Sequence, residues 1–114
     1  MPKGEMTMLT KEFLAQEPTR TEIDARRGAL VLEFGTPWCE HCNAAWSHIV
    51  EAFTGFPQVP LLKIEDGRGK PLGRSFGVKL WPTLVFLKDG VEVGRLVRPL
   101  ESGVIAEALA QIVS

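Results

Sequence analysis

The chain has 114 residues, of which 45% are apolar, so it carries enough core-forming material for one domain of ordinary size. Thirteen basic and fourteen acidic side chains give a formal charge of −1. With no long basic run there is no footing for nucleic acid or an anionic membrane, and no apolar stretch reaches membrane-spanning length.

Met1-Pro2-Lys3-Gly4-Glu5-Met6 lacks the apolar core of an export leader. A cytoplasmic location and a single domain over residues 1–114, loose over 1–5, are therefore expected. Met6–Leu9 is expected to form a short edge strand, and Thr10 to cap a helix over Lys11–Gln16 that Pro18 interrupts. Thr21–Arg27 has a second helical pattern, stopped by Gly28. Ala29–Gly35 is continuously apolar apart from Glu33 and partly β-branched, as a buried central strand should be. Cys39–Phe53 follows with helical period, placing Cys42, Ala45, Trp46, Ile49, Val50 and Phe53 on one face, until Gly55 and Pro57 end it.

Val59–Ile64, with Pro60 near its start, is the next strand. Ala29 to Glu65 then forms a strand–helix–strand unit, expected as a right-handed parallel crossover. A polar loop over 65–70 leads to a short helix, Pro71–Phe76, ended by Gly77. Thr83–Lys88 and Val91–Val97 are strands joined by Asp89-Gly90, a strong hairpin signal. Ser102 is expected to cap a last helix with Val104, Ile105, Ala108, Leu109 and Ile112 in a stripe. The order β-α-β-α-β-α-β-β-α predicts an α/β fold, with a mixed sheet of four to five strands and helices on both faces.

Cys39 and Cys42 are the only cysteines. Three residues apart on a helix, they are about one turn from each other, so their sulfurs can meet. A bridge between them closes a tiny loop and constrains the unfolded chain little, which leaves redox chemistry or metal binding as the use of the pair. A strand that delivers C-x-x-C to a helix N-terminus is the arrangement of a thiol–disulfide exchange site. Unpaired N–H groups and the helix dipole favour an anion there, which makes Cys39 the attacking sulfur and Cys42, one turn deeper, the resolving one. Zinc is the chemical rival, with Cys39, His41, Cys42 and His48 as ligands. Structural zinc usually draws a second ligand pair from farther along the chain, and His48 lies nearly two turns past Cys42. Asn43 stands where covalent haem attachment needs a histidine, and Gly67-x-Gly69 with Gly73 lacks dinucleotide-binding spacing.

Three features taken together carry a resemblance. They are Phe34-Gly35-Thr36-Pro37-Trp38-Cys39-x-x-Cys42, Trp81-Pro82-Thr83 ahead of a strand, and the Asp89-Gly90 hairpin followed by a helix. From Ala29 to the C-terminus the chain resembles the thioredoxin family. The resemblance implies a three-layer thioredoxin-like sandwich, a cis bond before Pro82, and backbone groups beside it free to pair with a substrate strand. It implies a monomeric protein-disulfide oxidoreductase with no cofactor beyond its own redox disulfide. Its partners would be protein disulfides and, as electron donor, an NADPH-linked thioredoxin reductase. Trp38, Trp81, Pro82 and Thr83 would form the substrate-binding rim. Glu33 stands where many thioredoxins bury an aspartate that takes part in proton transfer to the second cysteine, and Lys63 stands at that acid's lysine partner.

Three departures from the family qualify this. Glu40-His41 replaces Gly-Pro, and a histidine before the second cysteine is similar to protein disulfide isomerase and to oxidising bacterial oxidoreductases. Protonated His41 would stabilise the Cys39 thiolate and raise the potential above that of thioredoxins, which leaves reduction, oxidation and isomerisation all open. Trp81 replaces a small or aliphatic residue. Arg98 replaces a glycine where a partner's chain passes closely, and points to acidic partners. The reading of another class is a non-catalytic adaptor built on the same fold, against which the joint presence of both cysteines, Trp38 and Pro82 counts.

Overall fold

The computed structural model describes residues 9–113. The elements in chain order are α1 (Arg20–Asp24), β1 (Ala29–Gly35), α2 (Glu40–Phe53), β2 (Leu61–Glu65), α3 (Pro71–Ser75), β3 (Thr83–Lys88), β4 (Val91–Val97) and α4 (Ser102–Ile112). The apolar run of β1 is buried at every position from Leu30 to Gly35, because the strand lies inside a four-stranded sheet of order β2-β1-β3-β4. β2 runs parallel to β1, while β3 and β4 are antiparallel to their neighbours.

Period-two alternation assigns the two sheet faces. Leu30, Leu32 and Phe34 pack with Ile64, Val85 and Leu87 against Ile23 of α1, Leu72 of α3 and Phe76. Val31, Leu84 and Phe86 face the other way, onto Ala45, Ile49 and Phe53 of α2 and Ile105, Leu109 and Ile112 of α4. The result is the expected mixed α/β sandwich with helices on both faces. Glu33, two residues after Val31, shares the α2/α4 face, and its register partner on β2 is Lys63. The pleat alone therefore sets an acid and a lysine side by side on the face that α2 covers.

The β3–β4 turn has φ of 51° at Asp89 and 81° at Gly90, the doubly left-handed geometry of a tight hairpin. Gly90 is also required by space, since a Cβ there would overlap the backbone oxygen of Asp24.

Several element limits differ from expectation. Residues 11–16 form no helix: Leu14 N–H donates to Lys63 O at 2.9 Å and lays this segment along the open edge of β2, so a tertiary bond overrides local propensity. Thr10 Oγ1 does accept the Glu12 N–H, at 3.1 Å, but the turn goes no further. α1 begins at Arg20 because Thr19 and Glu22 form a reciprocal capping box, and it ends at Asp24 with Ala25 as its C-cap, short of the expected Arg27. β2 starts at Leu61, after Pro60, and Glu101 rather than Ser102 holds the N-cap position of α4. Of the strand expected over Met6–Leu9, only Leu9 lies among the described residues, and it is outside the sheet. The looseness expected over 1–5 also lies outside them.

Candidate active site

Cys39 closes the turn after β1 and is the N-cap of α2, with extended backbone at φ −81° and ψ 118°. Its Sγ accepts the backbone N–H of Cys42 at 3.1 Å. A sulfur thus takes the place that a serine or aspartate oxygen usually holds at a helix start, where the first N–H groups lack partners inside the helix. Both cysteines are free thiols and both are buried. Burial pushes the Cys42 thiol up to about 12, and its hydrogen bond with Cys39 adds to the rise; charge on Cys39 and Glu33 acts in the same direction.

Behind Cys42 lies the acid–lysine pair. Lys63 Nζ donates to Glu33 Oε1 at 3.2 Å, with Glu33 fully buried and Lys63 nearly so. The Lys63 ammonium also sits 4.6 Å from the Phe13 ring centroid and 4.4 Å from that of Trp46, so its charge is held by one carboxylate and two aromatic faces. Burial pushes the Glu33 carboxyl above the usual carboxylate range, and the charge of Lys63 pulls back against it. Within the described chain, Glu33 Oε2 and Thr36 Oγ1 are buried without a hydrogen-bond partner. A cleft of about 580 Å³, lined by Phe13, Thr36, Cys42, Asn43, Lys63 and Glu65, opens this region.

The rim is built differently. The Trp81–Pro82 bond is cis. Trp38 is 71% exposed, and its ring meets that of Trp81 edge-on, at 5.7 Å between centroids. Trp81 Nε1 donates to Asp66 Oδ2 at 2.9 Å, and Arg98 Nε donates to Trp81 O at 2.8 Å. The carbonyl beside Pro82, expected to be free for a substrate strand, therefore already accepts one hydrogen bond, from Arg98. Thr83 is buried, and its hydroxyl donates to Leu80 O at 2.7 Å. Glu40 and His41, between the cysteines, are both exposed. Among the described residues no group of three or more His, Cys, Asp or Glu side chains is placed to hold a metal ion.

This geometry agrees with what comparison with known proteins finds. A family model described as Thioredoxin matches residues 11–111. The chain belongs to the thioredoxin family. The solved structure of thioredoxin 2 from Pseudomonas aeruginosa PAO1 in its reduced form is 50% identical, with a TM-score of 0.81, covering 90% of this chain and 95% of that one. A thioredoxin H-type from Fagopyrum esculentum is 31% identical over 68 residues, which is 60% of this chain and 59% of that protein. Protein disulfide-isomerase A2 from Pongo abelii is 39% identical over 66 residues, 54% of this chain and 13% of the isomerase. The chain thus spans under two thirds of the length of both of these relatives.

Within this thioredoxin-family site, four contributors escaped the sequence reading. Gly35 leaves the space that Cys42 Sγ fills, and a Cβ there would overlap the sulfur. Asp66 anchors Trp81 and packs where a Cβ at Gly73 would stand. Phe13 and Trp46 clasp Lys63; Trp46 lies on the core face of its helix as expected and packs against that core as well. Only Gly35 carried a local signal, as a glycine at the end of a buried strand beside the cysteine motif.

Proposed function

We propose that the chain is a thiol–disulfide oxidoreductase that exchanges its Cys39–Cys42 pair with disulfides of other proteins. The observation that carries this reading is the Cys39 sulfur, seated as the N-cap of α2 and receiving a backbone N–H at 3.1 Å. Developing negative charge on that sulfur meets a donor already in place and the positive end of the helix dipole.

In the reducing direction the Cys39 thiolate attacks one sulfur of a substrate disulfide. A mixed disulfide forms, and the first substrate thiolate leaves. Cys42 then gives up its proton and attacks Cys39 Sγ, and the second substrate thiolate leaves. The two electrons of the dithiol end on the substrate, and Cys39–Cys42 is left as a disulfide. Cys42 is a poor attacker while it holds its proton, and burial makes it hold that proton tightly. Glu33 is the base for this step. It lies on the α2 face of β1, one carboxylate oxygen is unpaired within the described chain, and its raised affinity for protons suits an acceptor. Lys63 keeps the other oxygen in position.

The redox disulfide itself is the working group, with no prosthetic cofactor, as in thioredoxins generally. An NADPH-linked reductase is the proposed donor for the reducing direction. His41, exposed next to Cys42, favours a potential above that of thioredoxins and hence a share of isomerase-like chemistry. Trp38, Trp81, Pro82 and Thr83 form the proposed substrate rim. The deciding experiment is insulin reduction driven by dithiothreitol, with Cys39→Ser as control. The wild type is expected to exceed the variant at least ~10³-fold; equal rates would make the domain an adaptor.

A further inference from the structure

Arg98 follows β4 with φ of 53°, left-handed backbone that a residue bearing a Cβ adopts only at a cost. Glycine would hold this position without strain. What the arginine adds is its side chain. Its backbone N–H donates to Pro82 O at 2.9 Å, and its Nε donates to Trp81 O at 2.8 Å. With Leu80 O taken by the Thr83 hydroxyl, all three carbonyls leading into β3 are engaged within the chain. A peptide laid against this edge meets the guanidinium at Trp81 O and must share that oxygen with it or displace it.

The latch is also movable. Arg98 is exposed, and among the described residues no carboxylate pairs with it. Trp81 does not depend on it for its place, because Asp66 holds the indole and Trp38 meets the ring edge-on. The guanidinium can leave without the rim collapsing.

We propose that Arg98 selects disulfides bordered by acidic side chains, a carboxylate of the substrate drawing the guanidinium off Trp81 O and freeing that carbonyl for main-chain pairing. This rests on the oxidoreductase reading above and adds the substrate class. An acidic substrate exchanges a single bond from the guanidinium to a neutral carbonyl for a fork-shaped pair in which both partners are charged. A neutral substrate gains the same main-chain bond to Trp81 O but offers the displaced guanidinium no carboxylate in exchange.

The test uses two disulfide peptides that differ only in Glu or Gln beside the reactive cysteine, reduced by the pre-reduced 114-residue chain. Each rate constant is divided by that for dithiothreitol alone, which removes the intrinsic effect of the flanking charge on the disulfide. The wild type is expected to favour the Glu peptide about threefold, since the pair is exposed, and to lose the preference as salt is raised. Arg98→Gly, which removes the latch and relieves the backbone, is expected to reduce both peptides equally, and the Gln peptide faster than the wild type does. Arg98→Glu is expected to invert the preference. A wild type indifferent to the charge, or an Arg98→Gly protein that keeps the preference, overturns the proposal while leaving the thiol chemistry intact. Failure to reduce either peptide overturns both.

Discussion

Glu33 and Lys63 are 0% and 4% exposed, whereas Trp38, next to Cys39 in the chain, is 71% exposed. The region behind the cysteine pair buries a charge and its partner; the rim presents aromatic carbon and an arginine to solvent. Burial is costly for an ion, and it is the condition under which a carboxylate and a thiol trade protons above the usual carboxylate range. Exposure is costly for an indole, and it is what a surface that must meet other proteins offers. One helix start serves both, because its N-cap sulfur follows directly on Trp38 of the rim and the sulfur one turn on feels the charge of the buried acid. The division of labour between two identical side chains comes from what surrounds them.

The buried side should break hardest. Lys63→Met leaves Glu33 without its cation and is expected to cost about 3 kcal/mol at neutral pH in a denaturant titration, as when one partner of a buried pair is removed. The sign of its pH dependence follows from Glu33. Its folded-state proton affinity is already above normal and would rise further, so the loss shrinks as pH falls and the carboxyl becomes neutral. Glu33→Gln combined with Lys63→Met should recover most of the stability while leaving resolution by Cys42 slow. Full recovery of the rate would remove Glu33 from the mechanism.

Gly35→Ala probes the contact between β1 and Cys42 directly. The added methyl must push Cys42 Sγ aside, at an expected cost of about 1–2 kcal/mol. The mixed disulfide with substrate should accumulate because the second sulfur is displaced, which mass spectrometry of quenched reactions would reveal. The smallest effect belongs to the rim. Asp66→Ala frees the Trp81 indole and should cost about 1 kcal/mol, with a change in tryptophan emission and a raised KM at nearly unchanged kcat. An equal fall in kcat would show that rim and buried side are not separable.

Much of this was legible in the chain because its signals are local. The limits of β1 follow from a nearly continuous apolar run and those of β3 and β4 from the Asp89-Gly90 hairpin signal, and all three match. The cysteine spacing and the Pro82 position are likewise written in short motifs. The pairing of Glu33 with Lys63 came from family resemblance and is found as a register pair. What escaped is non-local. The helix expected over 11–16 gave way to a bond with β2, visible only once the sheet edge exists. Gly35 against Cys42, Trp46 over Lys63 and Asp66 on Trp81 are contacts between elements, and no periodicity encodes them. Arg98 was noticed as a departure, but its grip on Trp81 O depends on a left-handed backbone that the sequence does not announce.

The difference between the two sulfurs is open to direct measurement by alkylation of the reduced protein with iodoacetamide across pH, with the labelled residue located by mass spectrometry. Burial pushes the Cys42 thiol up to about 12, so the folded state keeps a proton that the unfolded chain gives up at lower pH, and the stability this contributes is lost as pH climbs from the ordinary thiol range toward that value. Near pH 7 the expected product is a single adduct on Cys39, with Cys42 labelled only at higher pH. Labelling of Cys42 first, or of both at one rate, would contradict the assignment of attack to the helix-capping sulfur and of proton retention to its neighbour.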